Sequence, residues 1–81
     1  MPRPALPPST ALGAALRAQR ATDGSGQDDV AKLVGIPQAT LSRLERGKHR
    51  PNTDTARKLA AWLGWSLEQV LDAAEAPAPP V

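Results

Sequence analysis

The 81-residue chain contains no cysteine, no tyrosine, no phenylalanine and a single histidine. Without thiols it can form no disulfide, no thiolate zinc site and no cysteine nucleophile. His49 cannot build a histidine metal site alone, so neither a metal nor any other cofactor is expected. No apolar run approaches the ~20 residues of a membrane span, and the opening MPRP leads into no signal-peptide apolar region. These absences predict a soluble chain without a membrane partner, acting in the cytoplasm where it is made. Period-2 alternation and β-branched or aromatic clusters are also missing, which argues against strands. The length allows one small domain, burying only roughly 60% of its unfolded surface.

What is present is unevenly spread. The net charge is only +2. Residues 38–58, however, carry Arg43, Arg46, Lys48, Arg50, Arg57 and Lys58 against Glu45 and Asp54, while residues 66–81 carry Glu68, Asp72 and Glu75 with no base. A basic middle and an acidic end suit one face turned toward an anionic partner and another turned away. Seven of the nine prolines lie near the ends. Residues 1–9 and 75–81 therefore read as Pro-rich arms, and residues 10–74 as the folded domain. Alanine, leucine, arginine and glutamine dominate that domain, and these residues favour helix.

Apolar spacing and punctuation place five helices, so the fold class is all-α. The first follows Ser9 or Thr10 as N-cap, buries Leu12 and Leu16, and ends near Ala21. The second opens at Gln27 or Asp28, where two aspartates suit the positive end of the helix dipole. It buries Val30, Ala31 and Val34 and stops at Gly35. The third starts after Pro37, whose fixed φ suits a helix start, and buries Leu41 and Leu44. The fourth runs from the cap Asn52 through Leu59, Ala60 and Leu63 to Gly64. The fifth is capped by Ser66 with Gln69 three residues on, a capping-box pattern, and carries Leu67, Val70 and Leu71.

The second and third helices are joined by only Gly35-Ile36-Pro37. So tight a link forces a steep crossing, the helix-turn-helix arrangement. Ala31 is small where the two helices must press together, and Gly35 supplies the left-handed residue that ends the second. Gln38, Ala39, Ser42, Arg43 and Arg46 then point outward. Gln pairs bidentately with adenine and Arg with guanine, so this face matches base edges in double-stranded DNA. A plain helical hairpin shares the short apolar pattern. It does not account for Gln27, Ala31, Gly35, Leu41 and Leu44 occurring together with basic exposed positions.

The stretches LGAALRAQR, QDDVAKLVGIPQATLSRLERGKHRP and LAAWLGWSLEQVL resemble the lambda-repressor-like, Cro-type helix-turn-helix domains of bacterial and phage regulators, also called the xenobiotic-response-element family. The resemblance spans about residues 12–71, and TLSRLERGKHRP is its most specific part. It implies a compact five-helix domain with the third helix in the major groove. Gln38, Ala39, Ser42 and Arg43 would then face bases. Gln27, Thr40, Arg46, Lys48, His49 and Arg50 would lie at phosphates, with plain exposure the other reading of His49. Arg20 resembles the family's helix-one arginine that pairs with the glutamate at Glu45.

Two departures stand out. The turn Asp23-Gly24-Ser25-Gly26 lacks the apolar anchor usual before the second helix. Thr53 and Ala56 stand where larger aliphatics are common, which would thin the core unless Trp62 and Trp65 refill it. Core packing accounts for Trp65, whereas Trp62 is divided between core and dimer contact. Trp62, Leu67, Val70 and Leu71 are the candidates for a dimer surface. No carboxylate pair, Ser-His-Asp set or glycine-rich phosphate loop is present, so no enzyme is expected.

The reading is a sequence-specific DNA-binding transcriptional regulator, repressor or Cro-like controller, acting as a homodimer on a pseudo-palindromic operator. It would sit on the nucleoid, with no small-molecule ligand evident. The abundance of alanine, proline and arginine suggests a GC-rich bacterial source or its phage. The alternative is an antitoxin-type interaction module that also binds its own operator, although Glu75–Val81 is short for a partner-wrapping tail.

Overall fold

The computed structural model describes residues 10–77; the expected arm at residues 1–9 lies outside that range, as do residues 78–81 of the arm expected at 75–81. Five helices follow in order: α1 (Ala11–Asp23), α2 (Gln27–Val34), α3 (Gln38–Glu45), α4 (Thr53–Leu63) and α5 (Leu67–Glu75). Among the described residues there is no strand. A single isolated antiparallel bridge joins Thr10 to Pro77. Beside it, the Ala11 N–H donates to the Ala76 carbonyl at 2.9 Å, so the start of α1 is tied to the end of α5.

Local chemistry sets the helix ends. Thr10 is the cap of α1, its hydroxyl accepting from the Gly13 N–H at 3.1 Å. The helix runs two residues past Ala21 and stops at Gly24. Asn52 accepts from the Thr55 N–H at 2.8 Å. Ser66 and Gln69 form both halves of a capping box, satisfying two N–H groups that the helix cannot pair itself. At Gly35 the chain takes φ 89, a conformation costly for any residue with a Cβ, and its N–H closes back on the Ala31 carbonyl. α5 keeps its helical hydrogen bonding through Glu75, one residue beyond the boundary expected from sequence.

The inward faces meet in one core of Leu12, Leu16, Val30, Ala31, Ile36, Leu41, Leu44, Ala56, Leu59, Ala60, Val70 and Ala74. α1 packs on α3 and α5, α4 packs on α5, and α2 packs on α3 and α4. Val34, Leu63 and Leu67 are only half-buried and cover the core's edge. Thr53 is exposed at the first turn of α4 and takes no part in the core, so no aliphatic is missed there. Ala56 is fully buried, and Trp62 and Trp65 pack beside the cluster as half-buried residues. Both indoles therefore serve the core's margin.

One close approach decides how α1 meets α3. Gly13 is buried, and a Cβ built on it would lie 2.7 Å from the carbonyl oxygens of both Leu44 and Glu45. Those atoms are backbone and cannot swing aside. Alanine in an exposed helix interior is favoured over glycine by about 1 kcal/mol, but here the added methyl forces the helices apart. Gly13→Ala is expected to destabilise the domain by about 1–3 kcal/mol, the usual range for overpacking, and Gly13→Val by more. Urea unfolding measures both, and a Gly13→Ala variant more stable than the parent would refute this packing.

Candidate nucleic-acid interface

α3 has eight residues, too few to hold a helix in isolation. Its position comes from its neighbours. Leu41 and Leu44 are sunk in the core at 0% and 1% exposure, which fixes the rotation of the helix. Pro37 precedes it with φ −63 and extended ψ, setting the entry angle. The turn before it is held by Lys58 of α4, whose Nζ donates to the Gly35 carbonyl at 3.2 Å. Lys58 also pairs with Asp54 one turn back at 3.3 Å.

The C-terminal end of α3 is held by a buried charge. Glu45 is 3% exposed. Its carboxylate accepts from Arg20 Nε and Nη2, both at 2.9 Å, a two-pronged contact from α1. Gln27 at the start of α2 donates its side-chain amide to Oε1 at 3.0 Å. Isolated, a buried carboxylate would be strongly disfavoured; three N–H donors, two from a cation, remove that penalty. The hydrogen bond to Glu45 raises the Arg20 pKa above its ordinary value, against an opposing effect of burial, and charge attraction adds to the rise. Arg20 therefore stays cationic across any pH the fold would meet.

With its inner face and both ends fixed, α3 presents Gln38, Ala39 and Arg43 to solvent, with Thr40 and Ser42 half-buried at the margins. Gln38 and Arg43 are five residues apart, roughly 7.5 Å along the axis. Beyond the helix, Arg46, Gly47, Lys48, His49 and Arg50 are all exposed, while the buried Pro51 anchors the far side of this loop. Arg46 Nε lies 3.4 Å from the Ser42 carbonyl. Arg50 Nε lies 3.0 Å from a Glu75 carboxylate oxygen. Gln38, Ala39 and Arg43 are thus exposed along α3, with Ser42 at the margin of the buried side and the basic loop following the helix. Gln27 stands apart, half-buried and with one amide N–H already committed to Glu45.

Val70 requires a correction. It is 0% exposed in the domain's own core, so it has no surface to offer a second chain. Its position faces α1 and α4 rather than outward, because α5 packs against both. Of the dimer candidates, Leu71 is 37% exposed, and Trp62 and Leu67 are half-buried. Leu33 on α2, at 72% exposure, is the most exposed large apolar residue among the described residues and escaped the sequence reading. So did the Gly13 approach, the Lys58 contact and the Arg50–Glu75 pair. Each depends on partners distant in sequence, and no local signal marks them.

A short helix locked at both ends, polar outward and flanked by a basic loop defines the class: a helix-turn-helix module. The family model for the helix-turn-helix domain matches residues 11–75. An HTH-type transcriptional regulator of Methanocaldococcus jannaschii is 33% identical over 55 residues, covering 68% of this chain and 83% of that protein. Among solved structures, the clp gene regulator ClgR from Corynebacterium glutamicum is similar with TM-score 0.62 and 35% identity, covering 91% of this chain and 77% of that one. The restriction-modification controller protein C.AhdI from Aeromonas hydrophila is similar with TM-score 0.63 and 26% identity, over 75% of this chain and 92% of that one. The chain belongs to the Cro/lambda-repressor-like helix-turn-helix family of DNA-binding transcriptional regulators, a family of non-enzymatic proteins. Among the described residues, no helix is long and apolar enough to cross a membrane.

The buried carboxylate makes a prediction on stability. Arg20→Ala leaves Glu45 buried without its cation, and Glu45→Ala leaves Arg20 and Gln27 without their acceptor. Breaking one side of a buried pair costs roughly 3–5 kcal/mol, and the partial exposure of Arg20 places its loss toward the lower end. The double variant is expected to lose less than the sum of the singles. Thermal melts of the three variants supply the cycle, and strict additivity would mean that no coupling exists.

Proposed function

We propose that this chain is a sequence-specific transcriptional regulator that binds a pseudo-palindromic operator as a homodimer and acts by occupying it. In this reading α3 lies in the major groove. Gln38, Ala39, Ser42 and Arg43 meet base edges, while Gln27, Thr40, Arg46, Lys48, His49 and Arg50 lie at backbone phosphates. The observation that carries the reading is the outward face of α3. A helix so short, held by core leucines and a buried carboxylate, spends no side chain of Gln38, Ala39 or Arg43 on the fold. Gln and Arg on such a face have the donors and acceptors that adenine and guanine present in the major groove.

Dimerisation follows from the small reading surface. One helix meets few base pairs, so specificity calls for two half-sites about one DNA turn, ~34 Å, apart. Leu71, with Leu67 and Trp62 near it in sequence, offers the apolar surface on which two copies would meet. Selection from a random pool of duplexes supplies the operator. Binding to one half-site is expected to be much weaker than to the paired site; equal affinity would overturn the dimer.

Reading and gripping are separable by substitution. Arg43→Ala is expected to cost about 1–3 kcal/mol on the selected duplex and to flatten the preference at one base position. Lys48→Ala should weaken selected and scrambled duplexes alike and lower the salt dependence by roughly one phosphate's worth. Titrations of both variants against both duplexes over a salt series decide it. An Arg43→Ala variant that loses affinity equally for both duplexes, with base preference intact, would remove α3 as the reader.

A further inference from the structure

We propose that Glu75 acts as an internal stand-in for a DNA phosphate on Arg50 and so limits how strongly the loop after α3 grips the DNA backbone. The inference rests on the reading that this loop faces phosphates. Arg50 Nε and a Glu75 carboxylate oxygen are 3.0 Å apart, with the two side chains 78% and 54% exposed. They border a shallow cavity of about 330 Å³ whose other walls include Lys48, His49 and Thr10, and Glu75 is the acidic group among them. A negative charge thus stands beside three side chains expected at phosphates.

Helix energetics do not explain the placement. Glu75 is the last residue of α5, where the dipole disfavours an anion, and the last turn holds no base. The position is set instead by backbone: the Ala11 N–H to Ala76 carbonyl bond and the Thr10–Pro77 bridge fasten the residues that follow it. Carboxylate and phosphate satisfy a guanidinium in the same way. An exposed pair of this kind is weak, so an arriving phosphate can replace the carboxylate. The exchange still lowers affinity twice over. Arg50 must give up a partner, and the released carboxylate stands close to the DNA backbone.

The test uses the full 81-residue chain as Glu75→Gln, Arg50→Ala and the double variant, titrated with a duplex selected from a random pool and with its scrambled counterpart. Glutamine keeps the shape and removes the charge, and circular dichroism verifies the fold. Glu75→Gln is expected to bind both duplexes about threefold to tenfold more tightly near 0.1 M salt and to steepen the salt dependence by up to about one counterion. In the Arg50→Ala background the same change should give little gain. Unchanged or weaker binding by Glu75→Gln would overturn the proposal, as would a gain that persists in full without Arg50. Lys48→Ala separates the two levels of the argument. If it lowers the salt slope while Glu75→Gln is silent, the loop grips DNA and only the role of Glu75 fails. If neither change alters the slope, the phosphate-facing loop fails with it.

Discussion

The carboxylate of Glu45 is the point on which the arrangement of the first three helices depends. It is almost completely buried, and a charge in that position is tolerable only where its acceptor sites are filled. Filling them requires Arg20 from α1 and Gln27 from α2 to arrive together. A buried ion pair is a poor source of net stability compared with apolar packing. What it contributes is position, because few relative placements of three helices bring both Arg20 and Gln27 to the Glu45 carboxylate. Gly13 reinforces the constraint by letting α1 approach the carbonyls that end α3.

That rigidity places α3. Eight residues are too few to hold a helix and its side chains in position unaided. Its leucines fix its rotation, Glu45 fixes its end, and Lys58 fixes the turn through which the chain enters it. The face turned to solvent is what the fold does not use, and Gln38 and Arg43 stand there. Core packing and solvent exposure thus divide the same eight residues between them, following the helical period.

The charge pattern shows how the fold sorts residues that look alike in sequence. Residues 38–58 read as one basic stretch. In the structure Arg43, Lys48 and His49 are exposed around α3 and its loop, Lys58 is committed to the Gly35 carbonyl, and Arg50 meets Glu75. Charge spacing shows the Asp54–Lys58 pair one turn apart but not the other two contacts, because Gly35 lies 23 residues from Lys58 and Glu75 lies 25 from Arg50. The apolar residues of α5 sorted in the same way. Val70 and Leu71 are adjacent and both hydrophobic, yet one is sealed in the core and the other meets solvent. Helix rotation against α1 and α4 makes that choice.

The sequence by itself determined the number of helices, the side-chain caps of α4 and α5 and the turn between α2 and α3. Those features are local: a hydroxyl three residues from an N–H, a glycine where φ turns positive, leucines at helical spacing. It also marked the outward residues of α3, since burying Leu41 and Leu44 leaves one opposite face. Only the tertiary structure decided that Gly13 must lack a side chain, that Gln27 joins Arg20 on Glu45, that Val70 belongs to the core and that Glu75 meets Arg50. Each of these is a distance between segments far apart in the chain. Such distances are set by how helices cross and how deeply they pack, which spacing along a single helix does not encode.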